Sequence, residues 1–442
     1  MRKNLYLILV AATLLVFAAI LIFSKKDTPP VAKVKERKGS IALSAEWLDT
    51  KSAIEGLLAE IDANPKNYKA KLNLAQAYIQ EARITGDHGY YDQAALDLLD
   101  DVLENEPQNF DALCCKATVL LSQHHFAEGL EVAETAVKIN PNSAFVYGLL
   151  CDANVELGKY PEAVEMTDKM VGIRPDIRSY SRISYLREIH GDLPGAIEAS
   201  KLAVSAGYPG LEQTCWARMI LGHLYEVTGQ NDSAEFQYKM ALQERPEYPF
   251  ANAGLARIEK FRGNYPQAIT LLKTANKDII EYSFDDDLTD LYTLTGNKAE
   301  AERSAEKVIK ELSPVANQGE SSNAHGHYAD KELAYAYLKV NNTNAALKHA
   351  LTEYQRRPRN IDVCETVAWV YYNQGQYEKA RKYMSVALRT KCSNPELLGR
   401  AALIYFKSGK QDIGKALLRQ ARTVNPVFTD TQLNTEINTV FG

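Results

Sequence analysis

The stretch IDVCETVAWVYYNQGQYEKARKYMSVALRTKCSN, residues 361–394, runs directly into PELLGRAALIYFKSGKQDIGKALLRQARTVNPVF, residues 395–428. Each block holds 34 residues, and the two align without a gap. The aligned places carry small, aromatic and turn-forming residues, namely Ala368 with Ala402, Tyr371 with Tyr405, Gly375 with Gly409, and Ala387 with Ala421. Apolar residues recur at helical spacing on both sides of each glycine. The stretch therefore predicts two helical hairpins of amphipathic helices.

This pattern resembles the tetratricopeptide repeat in its period, small residues, aromatic place and turn glycine, and in the closing Pro426 of the second block. One such hairpin cannot bury its own apolar face, so copies must stack. The resemblance implies an all-α, right-handed α-solenoid. It also implies that the first helices of successive hairpins line a concave surface.

The same register extends along most of the 442 residues. We expect repeats one to seven over residues 67–314 and repeats eight to ten over residues 327–428. A polar loop or hinge is predicted at 315–326, and capping helices are predicted at 44–66 and 429–442. In the eighth repeat Asn341 replaces the turn glycine, and asparagine tolerates the left-handed conformation that this position requires.

The N-terminus differs from the repeats. Residues 5–23 form an almost uninterrupted apolar run, long enough to cross most of a bilayer core as a helix. Residues 1–24 are therefore expected to be an uncleaved transmembrane anchor, with a cleaved signal sequence as the alternative. Residues 25–43 are basic and contain proline, so they predict a linker. The basic N-terminus favours an extracytoplasmic, periplasmic solenoid, although the lysines after the run favour the cytoplasmic side.

Composition excludes several classes of function. The net charge of −5 offers no basic field for nucleic acid, so no nucleic-acid partner is expected. The six cysteines form no CxxC pair and are expected to be small buried apolar residues. No cofactor and no small-molecule substrate are expected, because a phosphate-binding loop, a nucleophile elbow, an HExxH motif and cysteine clusters of zinc-finger spacing are all missing from the sequence.

One short segment keeps a catalytic alternative open. His325 and His327 stand close to Asp330 and Glu332 in sequence, and histidines with carboxylates can ligate zinc. The alternative function is therefore a metal-dependent enzyme or sensor that uses this loop. The simpler interpretation is a polar loop that happens to contain histidines.

The family resemblance also nominates a partner-binding groove. In tetratricopeptide arrays the second, fifth, ninth, twelfth and thirteenth places of the first helices face the concave side. Carried onto this chain, those places give Tyr185, Trp216, His223, Phe250, Arg257, Phe261, Asp286, Asp290, Tyr335, Trp369 and Tyr372. Aromatic and arginine side chains dominate binding energy at many interfaces. The alternative is that several of them pack between neighbouring repeats.

Some family members bind a chaperone's C-terminal carboxylate through a lysine–asparagine clamp. Here the corresponding places hold Cys114 and Thr118 in one repeat and Gly148 and Asp152 in the next, so that partner is not expected. Residues 356–380 are also similar to a widespread group of bacterial tetratricopeptide proteins. The sequence thus predicts a non-enzymatic scaffold at the bacterial cell envelope, which binds a peptide or protein segment in its groove. A purely structural spacer is a further alternative.

Overall fold

The structure is a computed structural model that describes residues 31–42, 45–313, 327–428 and 430–442. The chain divides into two compact units, residues 1–35 and residues 36–442. In the first unit, the described residues 31–35 have no regular secondary structure. The predicted membrane anchor at 1–24 and the predicted loop at 315–326 both lie outside the described residues. Among the helices that are described, none has the length and apolarity to span a membrane.

The second unit is entirely helical where it is described, which confirms the expected all-α repeat architecture. After a 3₁₀ turn at Gly39–Ala42 comes helix α1 (Ala45–Ala63), followed by ten helical hairpins. Hairpins 1 to 5 are α2 (Tyr68–Thr85) with α3 (His88–Asn105), α4 (Phe110–Ser122) with α5 (Phe126–Ile139), α6 (Ala144–Glu156) with α7 (Tyr160–Ile173), α8 (Ile177–Ile189) with α9 (Leu193–Ala206), and α10 (Glu212–Val227) with α11 (Asn231–Glu244).

The second half continues in the same way. Hairpins 6 to 10 are α12 (Pro249–Phe261) with α13 (Tyr265–Ala275), α14 (Tyr282–Leu294) with α15 (Lys298–Leu312), α16 (Asp330–Lys339) with α17 (Thr343–Arg356), α18 (Ile361–Asn373) with α19 (Tyr377–Ala387), and α20 (Pro395–Lys407) with α21 (Gln411–Val424). Helix α22 (Thr431–Phe441) follows the last hairpin. Each helix packs chiefly against its own hairpin partner and the next hairpin, as stacking requires.

The hairpin turns need one residue in the left-handed conformation. Gly375 and Gly409 supply it with φ values of 71° and 81°. Asn341 has φ 57°, as its place in the register predicts, and His124 has φ 63°. A side chain is tolerated at the last two positions because polar residues adopt this conformation at modest cost.

Small residues at fixed places let the two helices of a hairpin approach closely. Ala368 and Ala380 are fully buried in hairpin 9. In hairpin 10 the equivalent of Ala380 is Gly414, where an added Cβ would lie only 2.7 Å from the Ala402 carbonyl oxygen. The residue size at this place therefore sets the distance between the helices of each hairpin.

The predicted linker is partly packed onto the repeats. Arg37 lies within it, and its guanidinium is buried against the carboxylate of Glu81 in hairpin 1, with Nη2 2.6 Å from Oε1. A buried ion pair offsets the cost of removing both charges from water only when its geometry and hydrogen bonds are good. Arg37 therefore fixes the chain just before α1 to the first hairpin.

The solenoid closes on itself after about six hairpins. Turns of the early hairpins meet connections of the late ones across roughly 200 residues. Backbone or amide hydrogen bonds join Ile280 N to Thr85 O (3.1 Å), Tyr328 N to Gln123 O (3.1 Å), Asn360 Nδ2 to Glu156 O (3.0 Å) and Asn425 Nδ2 to Glu226 O (3.0 Å). These four bonds, which we call the closing contacts, join successive turns of the superhelix. The concave side therefore becomes an enclosed space.

Candidate functional site

A large cavity lies on the concave side of hairpins 2 to 5. It has a volume of about 1050 Å³, and its walls come mainly from α6, α8 and α10. Ile279–Glu281, between α13 and α14, and the turn of hairpin 1 close its far side. We call this space the concave cavity and define it by Phe145, Tyr185, Glu188, Trp216 and His223, which all line it.

The structure brings four of the predicted groove residues together here. Tyr185, Trp216, His223 and Phe250 all line the concave cavity. Tyr185 is 38% exposed and Trp216 40% exposed, and Trp216 meets Phe250 edge-to-face at a ring distance of 5.2 Å. Large aromatic side chains in a monomer are normally buried. Two of them open to the same concave space form a surface suited to recognition.

Four other predicted residues lie outside the lining of this cavity. Arg257 is engaged by Glu226, with Nε 3.0 Å from Oε2. Phe261 is exposed at the end of α12. Asp286 and Asp290 both contact Lys339 Nζ, at 2.8 and 2.7 Å. The charged residues of this group therefore already have partners within the protein.

The last three predicted residues lie near the C-terminal end and are largely covered. Trp369 and Tyr372 are buried and stacked on each other, with ring centres 4.8 Å apart. The Tyr372 hydroxyl donates to Glu436 of α22 at 2.6 Å. Tyr335 accepts a hydrogen bond from Arg400 Nη1 at 3.2 Å, and Arg400 also lies over the Trp369 ring. These side chains join neighbouring repeats and offer little surface to a partner.

The family-model comparison identifies one repeat directly. A model described as tetratricopeptide repeat matches residues 361–390, which contain both helices of hairpin 9. The other hairpins stack on it with the same helix–turn–helix architecture. The chain is a tetratricopeptide repeat protein.

Known proteins resemble this tetratricopeptide protein at low identity. The TPR repeat-containing protein YpiA of Bacillus subtilis (strain 168) is 23% identical over 215 residues, 48% of each chain. The chain thus spans about half the length of that relative. Among solved structures, the human IFIT1 dimer with PPP-AAAA is 17% identical over 78% of both chains, with a TM-score of 0.48. A thermophilic TPR protein of Thermus thermophilus is 22% identical over 46% of this chain and 99% of its own, with a TM-score of 0.37.

Charged side chains also line the concave cavity of this tetratricopeptide protein. Arg182 binds Asp152 through Nε at 2.8 Å, and its guanidinium also contacts the Gly148 carbonyl oxygen at 3.2 Å. Arg178 lies over the Phe145 ring, 5.6 Å from its centre. The cavity wall thus combines aromatic surface with fixed charge.

Sequence reasoning missed three of these residues, although the register contains them. Phe145 and Arg178 stand near the second place of the first helices of hairpins 3 and 4. Glu188 follows Tyr185 by three residues, on the same helix face. Its charge lies in the cavity because the helix carries both side chains towards the concave side. Glu188 is the twelfth residue of its helix, one of the groove-facing places, so the register could have nominated it.

The histidine alternative falls partly outside the described residues, because His325 is not among them. His327 is described, and its ring lies 4.3 Å from that of His124 in the turn of hairpin 2. Burial, together with the neighbouring His124, lowers the pKa of His327 to about 4. Within the described ranges, no three His, Cys, Asp or Glu side chains are grouped as a metal site would require.

Proposed function

We propose that this protein is a non-enzymatic scaffold that binds an extended peptide or protein segment in the concave cavity. The observation that carries the proposal is the pair Tyr185 and Trp216, both more than one third exposed inside one enclosed space. Interfaces concentrate their binding energy in such aromatic side chains when a partner desolvates them. A concave surface with exposed aromatic side chains of this kind favours recognition over chemistry.

The dimensions of the cavity support a peptide more than a metabolite. Its volume of about 1050 Å³ lies at the upper end of the roughly 300–1,000 Å³ range of small-molecule pockets. The lining extends along helices α6, α8 and α10 in succession, so a segment can contact several hairpins at once. Repeat arrays present extended concave surfaces for this purpose.

We further propose that the protein acts at the bacterial cell envelope, held there by its N-terminal segment. The support is the apolar run of residues 5–23 in the sequence. A periplasmic position follows if the basic N-terminus directs export. Labelling a cysteine placed on the repeats of the full chain in intact cells, with a reagent that cannot cross the inner membrane, tests this placement.

Binding can be tested with a display library of 12-residue peptides selected on the full-length chain. Selected peptides are then titrated by fluorescence anisotropy. Truncation of an aromatic anchor typically costs about 2 kcal/mol, so Trp216→Ala and Tyr185→Ala should each weaken binding roughly 30-fold.

The matched control is Phe236→Ala on α11, because Phe236 is an exposed aromatic (57%) that does not line the concave cavity. It should leave the dissociation constant unchanged. Far-ultraviolet circular dichroism checks that all three variants are folded. Equal affinity of the three variants, or a failure to enrich any peptide, would contradict the proposal.

A further inference from the structure

The concave cavity carries more negative than positive charge. Its lining contains five carboxylates and three arginines, namely Asp152, Glu156, Glu188, Glu212 and Glu281 against Arg83, Arg178 and Arg182. Most of these charges are already paired within the protein. Arg83 contacts Glu212 at 2.7 Å, Arg182 binds Asp152, and Glu156 is bound by Arg357 from outside the cavity. The electrostatic character of the cavity therefore depends on the charges that remain.

Glu188 is a carboxylate of this cavity that no lysine or arginine pairs with among the described residues. Its nearest positive group is the His223 imidazole, whose Nε2 lies 3.7 Å from Oε1, too far for a hydrogen bond. Within the described ranges, no side chain or backbone group donates a hydrogen bond to this carboxylate. The side chain is 14% exposed and faces the cavity, so a cationic group that enters the cavity can reach this carboxylate.

The surroundings of Glu188 increase the negative potential there. Burial raises the pKa of Glu188, the His223 imidazole opposes that change, and the Asp362 carboxylate of α18 adds to it. Arg178 is on the same helix, but ten residues separate them, or about 15 Å along the axis. Arg178 is therefore too distant to neutralise Glu188.

The aromatic residues make the same location suitable for a cation. Tyr185 is three residues before Glu188 on α8, so the two side chains share one helix face. Trp216 and His223 are two turns apart on α10 and line the same cavity. Aromatic ring faces attract lysine and arginine side chains, and an adjacent carboxylate strengthens that attraction.

We infer that the concave cavity selects a segment with a lysine or arginine whose charged group binds Glu188 beside the Tyr185 ring, while the same segment contacts Trp216 elsewhere in the cavity. This inference rests on the proposed function and names the chemistry of its partner. Glu188 then gains the counter-ion that the folded chain does not provide. The occupant is an extended cationic peptide segment, since charge complementarity at Glu188 opposes an acidic or nucleic-acid ligand.

The test uses the peptides selected on the full-length chain. Peptides that require Trp216 should contain a lysine or arginine at a constant position. Acetylating that lysine removes its charge and should weaken binding to the wild type about tenfold, since a charge pair in a confined site is lost. Glu188→Gln should weaken binding of the unmodified peptide by about the same factor. Acetylation should then have almost no effect on the affinity for Glu188→Gln, because both changes break the same charge pair.

Glu198→Gln is the matched control, because Glu198 is an exposed glutamate on α9 that does not line the cavity.

A charge exchange gives a second, independent readout. Glu188→Lys should reject the lysine peptide and bind the version with glutamate at that position. Acetylation acts on the peptide, so its effect does not depend on how well any variant folds.

The outcomes separate the inference from the proposed function. Peptides that bind through Trp216 without a basic residue, or bind equally well to Glu188→Gln, overturn the inference and leave peptide binding intact. Enrichment of acidic peptides, or binding of single-stranded RNA that Trp216→Ala abolishes, also overturns it. If no peptide binds through Trp216 and Tyr185, the proposed function itself fails.

Discussion

Replacing Arg357 by methionine should loosen the closure of the superhelix. The Arg357 side chain is only 5% exposed and joins Glu353 of its own hairpin to Glu156 of hairpin 3. It also lies over the Phe126 ring at 4.6 Å. Methionine keeps much of the side-chain volume, so the variant removes mainly the charge and its hydrogen bonds.

The magnitude follows from what Arg357 leaves behind. Removing one partner of a buried ion pair typically costs about 3–5 kcal/mol. Glu353 is 1% exposed but keeps Arg356 at 2.7 Å, and Glu156 is 33% exposed, so water replaces part of the lost contact. We therefore expect a loss of about 2–3 kcal/mol in the free energy of unfolding.

Urea unfolding of the full chain, followed by circular dichroism at 222 nm, measures the loss. Hydrogen exchange locates it, because the Ile361 amide donates to the Tyr160 hydroxyl at 2.9 Å across the same contact and should lose protection. The control is Arg303→Met, which removes an exposed i,i+3 pair with Glu300 and should cost less than about 0.5 kcal/mol. Equal midpoints for both variants and unchanged protection at Ile361 would refute the reasoning.

Three further predictions concern other positions. Burial lowers the pKa of both His124 and His327, so the folded chain binds fewer protons there than the unfolded chain. The free energy of unfolding should therefore reach its full value above about pH 6.5 and should decrease as the pH drops towards about 4. In urea titrations at several pH values, His327→Gln should remove part of this pH dependence. Trp369→Ala should cost about 3–5 kcal/mol because the ring is buried, whereas Trp216→Ala should cost less than about 1 kcal/mol; similar values would contradict their different exposure. Asn341→Val should lower the free energy of unfolding by about 1–2 kcal/mol, and Asn341→Gly should not, since φ is 57° there; equal unfolding midpoints would contradict this.

The repeat register was readable from the sequence because its determinants are local. Residue size, aromatic place and turn residue recur every 34 residues, and each acts within one hairpin. Asn341 is an example, because its left-handed backbone conformation could be predicted from its position in the repeat alone. An array in which each unit contacts only its neighbours makes such local signals sufficient.

The closing contacts were not readable in the same way. They depend on the rotation between successive hairpins, accumulated over about six of them. Contacts such as Asn360 to Glu156 leave no periodic signal in the sequence. The enclosed concave cavity follows from this closure, so its boundaries could not be derived from the register alone.

The rule that nominated the groove residues could not distinguish exposed positions from buried ones. Trp216 and Trp369 were nominated by the same rule, yet one is 40% exposed and the other is buried. Arg400 of hairpin 10 lies over the Trp369 ring, and α22 supplies Glu436 to the neighbouring Tyr372. Proximity to the C-terminal end decides the difference, and a single-repeat rule does not include it.

The most direct test of the central claim is photo-crosslinking in living cells. A photoreactive phenylalanine derivative replaces Trp216 in the full-length chain, and a second strain carries it at Phe236 as the control. The account predicts a crosslink to a defined polypeptide from position 216 and none to that polypeptide from position 236. Crosslinks that are absent at 216, or identical at both positions, would contradict a binding site in the concave cavity.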